Sequence, residues 1–77
     1  MTSVSISLNS IEKVKSFVNE IAKFDCDFDL ISGNYTIDAK SLMGIFSLDL
    51  SKHIALNIHA EEDELSKVLE ALASYIA

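Results

Sequence analysis

The sequence predicts an α+β fold, an open-faced sandwich in which three helices cover one face of a four-stranded antiparallel sheet, in the order β-α-β-β-α-β-α. Some stretches alternate polar and apolar residues, as strands do. Between them lie stretches whose apolar residues recur every three or four positions, as in helices. Each predicted strand has one apolar face and each predicted helix one apolar stripe, which favours packing in two layers. The 77 residues include no Pro and only two Gly, and 49% are hydrophobic. This composition predicts one domain, residues 1–77, folded almost from end to end.

The first two predicted elements are a strand at residues 3–8 and a helix that begins at Ile11. In the strand, serines alternate with apolar residues, and from Ile11 the apolar residues follow a helical period. Asn9 or Ser10 is expected to cap the helix, and Asn9 with Glu12 could form a capping-box-like pair. The apolar face of the strand consists of Val4, Ile6 and Leu8, and the helix stripe consists of Ile11, Val14, Phe17, Val18, Ile21 and Phe24.

A β-hairpin is predicted next, with its turn at Ser32-Gly33-Asn34. Gly and Asn tolerate positive φ, and alternating residues precede and follow them. On the first strand Cys26, Phe28 and Leu30 are expected to face inward, and Asp25, Asp27 and Asp29 to face water. On the far side of the turn, Tyr35, Ile37 and Ala39 alternate with their neighbours as the second strand.

The second half of the chain predicts a short helix, a strand and a final helix. Ser41 is expected to cap the short helix, which extends to about Leu48 and is followed by a polar connection at 49–53. Alternation from Ile54 to Ala60 predicts the fourth strand. Acidic residues 61–64 then suit the positive end of the last helix. The stripe of this helix consists of Leu65, Val68, Leu69, Leu72 and Ile76.

Composition and charge exclude several classes of function. The formal charge is −6 and the chain contains no Arg, which argues against binding of nucleic acid. Cys26 has no partner for a disulfide, and neither His53 nor His59 has a second ligand at a spacing typical of metal sites. With no apolar run of membrane-spanning length and no signal-peptide pattern, we expect a cytoplasmic protein without metal, cofactor or membrane contact.

The segment Asp38-Ala39-Lys40-Ser41-Leu42-Met43-Gly44-Ile45-Phe46-Ser47-Leu48 resembles the serine-centred helix of the HPr family, the phosphocarrier proteins of bacterial sugar phosphotransferase systems. From about Lys23 to Tyr75 the chain is similar to HPr without a gap. The resemblance implies the HPr-like open-faced sandwich, a non-enzymatic role and protein partners.

The histidine that carries the phosphoryl group in the HPr family has no counterpart near the predicted first helix. In the family, a Gly-Leu-His-Ala-Arg-Pro-Ala-like segment joins the first strand to this helix. The gapless match sets Ser10 opposite the histidine and Glu12 opposite the arginine, and a shorter connection that lacks the whole loop fits the strand better. The resemblance therefore implies no catalytic residue and no ordinary phosphocarrier activity. The alternatives are a degenerate carrier that still accepts a phosphoryl group from Enzyme I, and a structural domain that has lost both sites.

The family's regulatory serine does have a counterpart, Ser41. The resemblance implies that a dedicated HPr serine kinase phosphorylates this residue, with Lys40 adding charge complementarity, while the simpler interpretation is a helix cap alone. It further implies that Leu42, Met43 and Phe46 form an exposed apolar patch that docks Enzyme I-like or regulatory proteins, while Ile45 and Leu48 face the core.

Overall fold

The computed structural model describes residues 2–77 and has the predicted elements in the predicted order. The strands are β1 (Thr2–Ile6), β2 (Asp27–Ser32), β3 (Tyr35–Asp38) and β4 (Ile54–His59), and the helices are α1 (Ile11–Ile21), α2 (Leu42–Phe46) and α3 (Glu62–Ala71). The strands form one antiparallel sheet in the order β1-β4-β2-β3. The α+β fold class is confirmed.

One face of the sheet packs against the helices and the other is uncovered. On the covered face, alternate residues of the central strands β2 and β4 are almost fully buried and meet the apolar stripes of α1 and α3. On the uncovered face, the register places polar residues side by side, as with Asp29 and Asn57. The core includes Ile6, Val14, Phe17, Phe28, Leu30, Ile45, Leu56, Ile58, Val68 and Leu72.

Local signals in the sequence fix the start of α1 and the hairpin turn. Of the two expected caps for α1, Ser10 takes the position, and its Oγ accepts a hydrogen bond from the Lys13 N–H at 3.1 Å. In the hairpin, Gly33 has a φ of +59°, which L-residues with a Cβ rarely adopt. The turn therefore favours glycine at this position.

Two residues of the predicted helical stripes lie outside the core. Ile11, the first residue of α1, is 62% exposed, and Ile76 is 40% exposed. Tyr75, which the stripe did not include, is buried instead, and its ring packs edge-on against Phe17 at 5.6 Å between centroids. The reason is that α3 ends at Ala71, so residue 76 no longer follows a helical period.

The last residues of the chain pair with β1. The Ser7 N–H donates to the Tyr75 carbonyl at 2.8 Å, and the Ala77 N–H donates to the Ser5 carbonyl at 2.9 Å. Ile76 forms a bridge with Ile6 in this pairing. The C-terminal residues therefore cover the outer edge of β1, which would otherwise present unpaired backbone groups.

We expect Tyr75→Phe to lower the free energy of unfolding by about 1 kcal/mol. The Tyr75 hydroxyl donates to Ser16 Oγ at 2.6 Å in a part-buried site, and phenylalanine keeps the ring but loses this bond. Urea denaturation of Tyr75→Phe, Ser16→Ala and the double variant would measure the effect. Because both single changes break the same bond, their costs should not add, and strict additivity would contradict this account.

Candidate functional site

The candidate site is the connection between β3 and α2, centred on Ser41. Ser41 is exposed and extended (φ −91°, ψ 100°), and its Oγ accepts a hydrogen bond from the Gly44 N–H at 3.3 Å. Its own N–H donates to the Asp38 carbonyl at 3.0 Å. The predicted helix cap is therefore confirmed, and the hydroxyl oxygen lies at the surface. The helix itself is shorter than expected, since it ends at Phe46.

Close packing holds α2 against β3. A Cβ added at Gly44 would lie 2.6 Å from Ile37 Cγ2 and 3.2 Å from Ser41 Oγ. A side chain at this position would therefore collide with Ile37 of the strand and crowd the Ser41 cap. Glycine lets the helix approach the strand closely enough to bury Ile45.

The apolar residues of the α2 segment divide as predicted between solvent and core. Met43 is 83% exposed, and Leu42 and Phe46 are exposed to 36% and 39%. Ile45 is fully buried, and Leu48 is half-buried against the core. Leu42, Met43 and Phe46 thus form an exposed apolar surface, the α2 patch. Its use for docking stays a prediction.

Lys40 contacts a part of the chain that the sequence did not indicate. Its Nζ donates to the Phe24 carbonyl at 2.8 Å, just beyond the end of α1, and lies 5.7 Å from the centroid of the Phe28 ring. Helix α1 has no basic residue in its last turn, so Lys40 places a cation at its negative end. The ammonium thus connects the α1–β2 loop to the residue that precedes Ser41.

The two residues set opposite the family's histidine and arginine lie at the start of α1. Ser10 is the cap described above, and both Ser10 and Glu12 are exposed. The two histidines of the chain lie elsewhere, His53 in the loop before β4 and His59 at the end of β4.

A histidine–carboxylate contact lies on the uncovered face of the sheet. His59 Nε2 lies 2.7 Å from Asp29 Oδ2, within hydrogen-bond distance. The register sets His59 opposite Asp27, so Asp29 is its diagonal neighbour. Because the contact joins residues 30 positions apart, only the strand order could have revealed it.

Cys26 is half-buried and packs against the core, in the way that free cysteines usually do. Burial raises the pKa of its thiol above the usual range, and the Glu64 carboxylate raises it further by its charge and by a hydrogen bond. The thiolate is therefore disfavoured at neutral pH. Over residues 2–77, no helix has both the length and the apolar character that a membrane span needs.

Comparisons with known proteins agree on one family. The family model described as "PTS HPr component phosphorylation site" matches residues 12–77. The HPr-like protein Crh of Bacillus subtilis (strain 168) is 33% identical over 60 residues, which make up 78% of this chain and 71% of that protein.

Two solved structures share the fold over nearly the whole chain. HPr-C-His from Thermoanaerobacter tengcongensis has a TM-score of 0.75 at 28% identity, with 96% of this chain and 92% of that chain covered. The phosphocarrier protein HPr from Bacillus anthracis str. Ames has a TM-score of 0.70 at 30% identity, with coverages of 99% and 94%. Together with the family match, these similarities show that the chain belongs to the HPr family of phosphocarrier proteins of the phosphotransferase system.

Proposed function

We propose that this protein is a regulatory, protein-binding member of the HPr family that does not carry phosphohistidine. The observation that carries the proposal is the placement of an exposed Ser41 directly before the exposed α2 patch. The protein would act in the cytoplasm, as a substrate of an HPr serine kinase and as a ligand of Enzyme I-like or regulatory proteins, without an enzymatic activity of its own.

The chemistry at the start of α1 supports the absence of a phosphohistidine. A phosphoryl relay at neutral pH needs a nucleophile that is also a good leaving group, and imidazole meets both needs. Ser10 stands where the family resemblance sets the histidine, and a serine phosphate ester is too stable for a rapid relay. Glu12 would add repulsion to a phosphoryl group there, and the family match begins at residue 12, after Ser10.

The surroundings of Ser41 suit a kinase substrate. The hydroxyl is at the surface, and within residues 2–77 its one hydrogen bond is a long one from the Gly44 N–H. A phosphoserine would bring about two negative charges and new acceptor oxygens to the first turn of α2. Any help from Lys40 would require its ammonium to leave the Phe24 carbonyl.

The α2 patch supports a partner surface beside the modified residue. Met43 exposes more of its side chain than any other large hydrophobic residue in the described part of the chain. Exposed apolar clusters next to polar residues are typical of protein interaction sites. Since Ser41 and the patch are contiguous, a kinase that reaches the hydroxyl would contact the patch, and a phosphate would change the charge at its border.

We expect an HPr serine kinase with ATP to add one phosphoryl group to the protein, and none to Ser41→Ala. Intact-mass spectrometry would measure the addition, with an HPr of known activity in the same tube as a positive control. An unchanged mass, with the control HPr labelled, would contradict the Ser41 proposal.

The same assay tests the α2 patch. We expect Met43→Ser to raise the KM for phosphorylation about fivefold, the effect of losing roughly 1 kcal/mol of apolar contact. Ile76→Ser is the control, because Ile76 is 40% exposed but lies at the opposite edge of the sheet, beside β1. Equal KM values for the two variants would argue against docking at the patch.

The alternative is a degenerate phosphocarrier, which membership of a phosphocarrier family favours. Incubation with phosphoenolpyruvate and Enzyme I separates it from the main proposal. Label that survives in Ser41→Ala and is lost in acid, as a phosphoramidate would be, would support the carrier. If neither Enzyme I nor the HPr serine kinase transfers a phosphoryl group to the protein, a structural role for the fold is left.

A further inference from the structure

A cavity of about 480 Å³ lies at the hairpin end of the sheet, away from Ser41. The β2–β3 turn, the residues that follow α2 and the loop before β4 line it together. Its volume is within the range of small-molecule sites, roughly 300 to 1,000 Å³. Nothing in the proposed role of Ser41 uses this cavity.

Two neighbouring basic residues, Lys52 and His53, line the cavity. The chain has a formal charge of −6 and only six Lys. Lys23 forms an ion pair with Glu20, and Lys40 binds the Phe24 carbonyl. Within residues 2–77, neither Lys52 nor His53 forms an ion pair. Their hydrogen-bond donors are therefore available to a ligand.

One carboxylate, that of Asp49, also lines the cavity, and it is hydrogen-bonded to Ser51. The Ser51 N–H and hydroxyl both donate to Asp49 Oδ1, at 3.1 and 2.6 Å. These bonds, with a smaller contribution from the nearby Lys52 charge, hold the pKa of Asp49 below its usual range, so the group is negatively charged at neutral pH. Asp49 therefore opposes an anion in the cavity without removing the donors of Lys52 and His53.

Tyr35 supplies an aromatic surface on the same cavity. Tyr35 begins the alternation of β3 with Ile37 and Ala39, and 71% of the residue is exposed. Burial of this ring thus contributes little to the stability of the fold. An exposed aromatic ring beside cationic groups can hold the apolar part of a ligand while the cations hold its charge.

We propose that this cavity binds a small organic anion. Its phosphate or carboxylate group lies between Lys52 and His53, where charge-assisted hydrogen bonds hold it, and its apolar part lies against Tyr35. Ser47 and Asn34 add an uncharged hydroxyl and amide at the rim. This inference does not depend on the proposed phosphorylation of Ser41.

Phenyl phosphate is a suitable probe, since it combines a phosphate with a ring. In an NMR titration of the whole protein, we expect saturable shifts of the amides of residues 31–35 and 47–53, with a dissociation constant on the order of 1 mM. Inorganic phosphate should bind more weakly because it lacks the ring. Shifts spread over all lysines, or no saturable shift, would overturn the proposal.

Charge variants make the test sharper. We expect Lys52→Gln to weaken binding about tenfold, and the control Lys67→Gln on α3 to leave it unchanged. Asp49→Asn keeps an oxygen for Ser51 but removes the negative charge, so it should tighten binding. Equal losses in both lysine variants, or weaker binding in Asp49→Asn, would contradict an anion site. Each variant's native spectrum establishes that it is folded.

Discussion

Phe28→Ala is expected to lower the free energy of unfolding by about 4 kcal/mol, the usual effect of removing a fully buried ring. Phe28 is 1% exposed on the central strand β2, where it pairs with Ile58 of β4. Its ring also contacts Phe24, at 6.4 Å between centroids, and lies below the Lys40 ammonium. The cavity left by alanine would therefore face the core on one side and the α1–β2 loop on the other.

The size of this effect matters because the chain is small. At roughly 0.05 to 0.15 kcal/mol per residue, a chain of this length has a total stability of about 4 to 12 kcal/mol. Phe28→Ala would remove between about a third and all of this stability. Urea denaturation would measure the loss, with Phe46→Ala as the matched control, since Phe46 is 39% exposed. A similar loss in both variants would contradict the assigned burial.

Most of the fold could be predicted because burial in this chain follows simple periods. The alternation in β4 buries Ile54, Leu56 and Ile58, as expected. The two residues of the helical stripes that were wrongly predicted to be buried lie at the ends of their stripes. Ile11 is at the first position of α1, and Ile76 lies beyond the end of α3, where a bridge to β1 places it beside Tyr75 in strand-like alternation. A helical stripe extended past the helix therefore selected the wrong residue.

The candidate site was predictable only in its local part. The Ser41 cap depends on neighbours in sequence and was predicted from them. The division of the α2 residues between solvent and core was implied by the resemblance to HPr. The contact of Lys40 with Phe24 and the pair of His59 with Asp29 depend on how distant segments meet. The cavity beside Tyr35 joins three separate segments, so no motif could indicate it.

The second large effect is expected at Gly44, where alanine should destabilise the protein by up to about 2 kcal/mol. In an ordinary helix this change would stabilise by about 1 kcal/mol, because alanine has the higher helix propensity. Here the new Cβ would lie 2.6 Å from Ile37 Cγ2, and overpacking of this kind usually costs about 1 to 3 kcal/mol. The Cγ2 methyl is attached next to the backbone of β3, so it cannot move away as the end of a flexible side chain would.

A double-mutant cycle isolates this contact. Ile37→Ala removes the Cγ2 atom, so Gly44→Ala in that background should no longer destabilise and should gain up to about 1 kcal/mol from helix propensity. Urea denaturation of the four proteins would measure the sign. Had the contact with Ile37 no influence, Gly44→Ala would have the same effect in both backgrounds. A change of sign would establish that the glycine sets the distance between α2 and β3, and with it the position at which Ser41 is presented.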